Sequence, residues 1–335
     1  MLAGMGVAAS PKLAAAVTNA GGIGVIGGYG YSPDGLREQI NELKSYLNDK
    51  SAPFGVDILL PQIGGNARKT NYDYTKGKTM ELIDVVVECK ATVFVSAVGV
   101  PPKQAVDRLH QGGVMYMNMV GHPKHVQKCL DLDVDIICAQ GGEAGGHTGD
   151  IPFSVLIPAV ARLLKGQKSR FTGRDVLLVA AGGISGGQSL AASLMLGASG
   201  VWVGTRFLVA HEAGASRHHK DAVLAAKVDD TIRSIIFTGR PLRVLKNRYI
   251  LNWEESRQAE IKELTSKGIL PAHHEADLHP DDEEALDNVH PHLMGIVAGL
   301  VEHESSAREI VDEMVDGAVE RLRAGALSLI DQPKL

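Results

Sequence analysis

The chain has 335 residues, 44% hydrophobic and 22% charged, with a formal net charge of −5. It can bury one large α/β core or two smaller ones, and with only short basic runs at 217–220 and 243–248 the charge pattern argues against nucleic acid as a partner. No apolar run nears the ~20 residues of a membrane span and the start MLAGMGVAASPK lacks a signal-peptide core, so a soluble intracellular protein is expected, cytoplasmic by default, with organellar import left open.

SPKLAAAVTNAG (10–21) carries a serine cap, a proline just behind it, an alanine-rich body and a glycine stop, which together predict a helix. IGVI (23–26) reads as a short buried strand, and SPDGLREQINELKSYL (32–47) repeats the capped helix. PFGVDILL (53–60) lacks clean alternation, as a strand buried on both faces does. The same rhythm runs on to about residue 208. Strands are expected near 1–5, 23–26, 54–60, 92–96, 114–118, 135–139, 175–180 and 200–203. Eight strands alternating with helices predict an α/β fold of (β/α)8 TIM-barrel type rather than an open sheet. The first of them is short, which predicts that a few completing residues precede Met1.

From about residue 228 the alternation fails. The stretch 228–290 holds FTGRPLRVLKNRYILNWEE, a helix around 254–266 and a polar acidic run, and predicts a smaller, mostly helical domain inserted on the substrate side. A strong helix at 305–326 then returns to the first domain, so that 1–227 and 291–335 form the barrel and 228–290 the insertion. Cys89, Cys129 and Cys138 are widely spaced and odd in number, and read as reduced, buried thiols.

Gly22, Gly24 and Gly27 satisfy GxGxxG, but a helix precedes them and the strand contains them, which is the wrong order for a dinucleotide fold. Turn-making and close packing explain them better. AAGGIS (180–185) and Gly204–Thr205 follow the seventh and eighth expected strands, where barrel loops recurrently bind phosphate, so Gly182, Gly183, Gly204 and Thr205 form one candidate clamp.

AQGGEAGGHTGD (139–150) follows the sixth expected strand on the same rim. His147 there can exchange a proton near neutrality, and the flanking glycines permit close backbone approach. Glu143 either orients His147 or caps a neighbouring turn. No metal is expected, because the local set has neither HExxH spacing nor a third ligand. Gln62 and Gln140 are neutral two-way hydrogen bonders suited to a planar heterocycle.

LAGMG (2–6), NAGGIGVIGG (19–28), AQGGEAGGHTGD, LLVAAGGIS (177–185) and GASGVWVGTRF (197–207), with MGIVAGLVEHESSAREIVDEMV (294–315), resemble segments of the FMN-dependent nitronate monooxygenases, formerly called 2-nitropropane dioxygenases. The resemblance implies FMN at the barrel mouth. Gly4 and Met5 would lie against its ring, Gln62 and Gln140 at the ring's polar side, and Gly182, Gly183, Gly204 and Thr205 at the phosphate. His147 would be the substrate base, with Gly145 and Gly146 close to flavin and substrate. Two departures concern substrate and reductant more than FMN: Ile296 stands where a glutamine is frequent, and Met119 where some flavin reductases have lysine. The implied partners are a small nitronate or nitroalkane and oxygen, giving a carbonyl compound and nitrite, with a homodimer as a compatible assembly. NAD(P)H-dependent flavin reduction, of quinone or enoyl-acyl carrier protein type, and non-catalytic flavin binding are the alternatives.

Overall fold

A computed structural model describes residues 1–28, 30–281, 286 and 288–328. Residues 282–285 and 287 of the acidic run, and 329–335 of the expected closing part, lie outside the described residues. Ser10 and Ser32 start the first two helices by accepting hydrogen bonds from the Leu13 and Gly35 N–H groups, and Pro11 and Pro33 occupy first turns where no donor is needed. These are α1 (Pro11–Asn19) and α2 (Pro33–Tyr46), with β1 (Gly24–Gly28) between them.

There follow β2 (Phe54–Leu59), α3 (Thr79–Glu88), β3 (Val93–Ala97), α4 (Lys103–Gln111), β4 (Met115–Val120), a 3₁₀ turn running into α5 (Val126–Leu130), and β5 (Ile136–Gln140). A two-residue strand, β6 (Gly146–His147), precedes α6 (Phe153–Leu164), β7 (Leu177–Ala181), α7 (Gly187–Met195), β8 (Gly200–Trp202), α8 (Thr205–Leu208) and α9 (Arg217–Ala225). The remainder is β9 (Thr231–Ser234), β10 (Leu242–Leu245), α10 (Arg248–Ser256), α11 (Gln258–Ser266), α12 (Pro271–Leu278), a 3₁₀ segment at Ile296–Leu300 and α13 (Ala307–Leu327).

Seven strands pair in parallel in the order β1-β2-β3-β4-β5-β7-β8, close to their expected positions. The expected strand at 1–5 is instead a single bridge, Leu2 with Val203, so the sheet is curled but its ladder is open. Met1–Ala3 lies between the two sheet ends: the Leu2 N–H donates to the Ile23 carbonyl at 2.9 Å, and the Ala3 N–H to that of Val203 at 2.9 Å. Extension ends there because the chain turns at once, with the Ala8 N–H donating to the Met5 carbonyl and Gly6 at φ 48°.

Inward side chains such as Val25, Val95, Met117, Cys138, Val179 and Trp202 pack into one cluster, while outward ones such as Ile26, Val56, Phe94 and Ile137 pack under the helices. Burial on both faces is why β2 shows no alternation. A Cβ on Gly24 would overlap the Ala14 carbonyl oxygen, so the GxGxxG glycine lets α1 lie directly on β1. Ser306 and Glu309 form a capping box at the start of α13, which packs on α7 where Gly187 meets Gly317.

Beyond α9 lie helices α10–α12 and an antiparallel sheet in the order β6-β10-β9. Its middle strand pairs Leu242 with His147 and Arg243 with Gly146. Ile236, Leu242, Val244, Trp253 and Ile261 give this region an apolar cluster of its own.

Candidate functional site

β5 delivers Gln140 to the rim, and the glycine-rich loop behind it is tied at several points. The Gln140 amide donates to the His147 carbonyl, and the Thr148 hydroxyl to the Gly141 carbonyl at 2.9 Å. Arg243 donates to the Gly142 carbonyl from Nε and Nη2, at 3.0 and 2.8 Å, while Arg233 donates to the Gly149 carbonyl at 2.6 Å and pairs with Asp150. Both oxygens of Glu143 accept from the Phe153 N–H, at 3.0 and 3.1 Å. Glu143 therefore caps the start of α6 and has no bond to the imidazole.

His147 sits in β6, its Nε2 2.9 Å from the Thr238 hydroxyl. Burial first, and then the charges of Arg240 and Arg68, push its pKa down to about 4. The ring is therefore neutral at physiological pH and able to accept a proton. Arg68 comes from the loop after β2 and Arg240 from the turn before β10, and among the described residues neither pairs with a carboxylate.

At the neighbouring strand ends, Gly182 and Gly183 follow β7 with φ of 82° and 70°, a backbone shape that side-chain-bearing residues rarely adopt. Gly204 caps α8 after β8, its Cα side facing Met5 and Ala3, and the buried Thr205 hydroxyl accepts from the Gly295 N–H at 2.9 Å. A Cβ on Gly145 would press on Met294 and Gly295, so this glycine admits the returning segment; Gly146, at φ 70°, has open space beside it. Ile296 anchors the same segment by donating its N–H to the Glu143 carbonyl. Gln62 is exposed, and its backbone carbonyl accepts from Asn71.

Asp57 was not among the expected site residues. It faces inward from β2, 3% exposed, with Gly4 on one side and Gly27 on the other: a Cβ on Gly4 would overlap its carboxylate, and one on Gly27 would come within 2.8 Å of its Cβ. Its Oδ1 has no hydrogen-bond partner among the described residues. Burial alone raises its pKa to about 8, so the carboxyl is protonated at neutral pH.

A parallel sheet whose strand ends gather an uncharged base, two glycine turns, one of them at positive φ, and a buried acid is the frame of a cofactor-dependent oxidoreductase. Residues 1–317 match the family model described as nitronate monooxygenase, and the chain belongs to that family. It is 30% identical over 279 residues to a Staphylococcus saprophyticus protein named probable nitronate monooxygenase, covering 76% of this chain and 77% of that one. It is 34% identical over 254 residues, 76% of this chain and 64% of the relative, to a Rhodococcus jostii (3aS,4S,5R,7aS)-5-hydroxy-7a-methyl-1-oxo-octahydro-1H-indene-4-carboxyl-CoA dehydrogenase. Among solved structures, a nitroalkane oxidase from Streptomyces ansochromogenes superposes with a TM-score of 0.77 at 25% identity, over 96% of each chain. The protein is an FMN-dependent oxidoreductase of the nitronate- and nitroalkane-oxidising type.

The residues present fit a flavin. The orphaned oxygen of Asp57, held between two glycines whose missing side chains leave room, is a buried polar group in want of a partner. A lone acid inside the apolar run FGVDIL is the sequence signal that marks it. Arg68, Arg240 and Thr238 carried no local signal, since only the fold brings 68 and 240 to residue 147. No described helix is long and apolar enough to cross a membrane.

Proposed function

We propose that the enzyme holds FMN across the C-terminal strand ends and oxidises alkyl nitronates with oxygen to a carbonyl compound and nitrite, with His147 facing the substrate. Bound there, FMN supplies the electron transfer between nitronate and oxygen. Gly182, Gly183, Gly204 and Thr205 would hold its phosphate, and Gly4, Met5 and the Asp57 carboxyl its ring. Gln140, Gln62 and Gly145 complete the flavin set, and Gly146 stands with His147 on the substrate side. The bridge and bonds of Met1–Ala3 support an eighth barrel stave, and the separate apolar cluster supports the division into 1–227 with 291–335 and an inserted 228–290.

The observation that carries this reading is the neutral imidazole of His147, fixed by Thr238 at the end of a short strand. On a neutral nitroalkane it takes the α-proton; on a nitronate, already an anion, no deprotonation is needed and the ring positions the substrate. Anaerobic absorbance of the FMN-loaded protein tests the assignment. An alkyl nitronate is expected to bleach the flavin and NADH to leave it oxidised; rapid bleaching by NADH with no response to nitronate would make the protein a flavin reductase instead.

A further inference from the structure

Two cations stand beside His147, and among the described residues no carboxylate pairs with either of them. Each is pinned by the other's segment: Arg68 donates from Nη1 to the Gly239 carbonyl at 3.1 Å, and Arg240 donates from Nε to Asn71 Oδ1 at 3.0 Å. Arg240 is half-buried, and both burial and the nearby Arg68 charge hold its pKa below the usual guanidinium range. Like charges fixed together in a partly dry site raise the free energy of the empty protein, and an anion between them would relieve it. Among the described residues each guanidinium makes one hydrogen bond, from one of its five N–H donors, leaving forks suited to a planar oxyanion.

We propose that Arg68 and Arg240 form an anion seat that takes the delocalised charge of the nitro-group oxygens and sets the preference for the nitronate over the neutral nitroalkane. This rests on the nitronate reading of the site. Thr238 and Arg240 share one turn, so the segment that fixes the imidazole also carries one half of the seat.

The test uses FMN-loaded Arg68→Gln and Arg240→Gln with two readouts: steady-state kinetics on ethylnitronate and nitroethane, and the dissociation constant of nitrate, a planar monoanion, from its perturbation of the flavin spectrum. The nitronate KM and the nitrate Kd are expected to rise roughly 10–100-fold in each variant, the range set by losing a charge-assisted hydrogen bond. The KM for neutral nitroethane should stay within a few-fold. Unchanged nitrate Kd and nitronate KM in variants that keep their flavin would overturn the seat. If Arg240→Gln loses flavin, the exposed Arg68→Gln alone decides. Should the wild-type protein turn over no nitronate, the functional reading fails, but nitrate binding and its loss in the variants still tests the seat.

Discussion

Replacing His147 with asparagine is expected to lower nitroalkane turnover ~10²–10⁴-fold, the usual contribution of a positioned base, while the flavin absorbance persists. Nitronate turnover should fall much less, since that substrate arrives without the α-proton. The Thr238 bond is made by Nε2, beyond the reach of an asparagine amide, so it is the retained flavin absorbance that shows the loop has held and the loss reports proton transfer. The pH profile carries a second signature. With the imidazole pKa depressed to about 4 by burial, Arg240 and Arg68, the acid limb of kcat/KM on nitroalkane should lie near that value in wild type and vanish in the variant. Equal losses on nitroalkane and nitronate would remove His147 from the role of base.

The contribution of Asp57 to the stability of the flavin-free protein should fall as pH rises from about 4 to 8, and Asp57→Asn should remove it. The folded-state pKa of Asp57 is about 8, against 3.8 for an ordinary aspartate. Between those values the folded chain keeps a proton that the unfolded chain has released, so the unfolded state gains with rising pH. The protonated carboxyl therefore contributes fully below pH 4, and its advantage is gone above pH 8. At about 1.36 kcal/mol per pH unit the span is about 6 kcal/mol, large against ordinary domain stability. His147 acts with the opposite sign: its depressed pKa makes stability fall as pH drops from 6.5 toward 4. Comparing urea midpoints of wild type and Asp57→Asn at each pH isolates the aspartate. Parallel curves would mean that the carboxyl is ionised throughout.

Local chemistry made much of the fold legible. Serine caps with following prolines located α1 and α2, and unbroken apolar runs located the parallel strands, because each signal is set by residues a few positions apart. The 1–5 segment has the composition of a strand, but the turn after Met5, with Gly6 at φ 48°, cuts its extension to one bridge. β6 left no pattern, being two residues with a glycine at φ 70°; its pairing with β10 depends on chain nearly a hundred residues away. Of the candidate site, His147 and the glycine turns are legible as candidates from their place behind strands. Asp57 is inconspicuous inside an apolar run, and the arginines have no local signal, since charged loop residues are mostly solvated and only the tertiary fold sets these two beside the imidazole.

The central claim is that this site converts nitronate to nitrite at the cost of oxygen. Oxygen uptake and nitrite release, followed together on FMN-loaded protein given ethylnitronate, address it most directly. The proposed chemistry predicts that nitrite appears as oxygen is consumed, with no nicotinamide cofactor added. Flavin-loaded protein that consumes no oxygen and releases no nitrite with this substrate would contradict it.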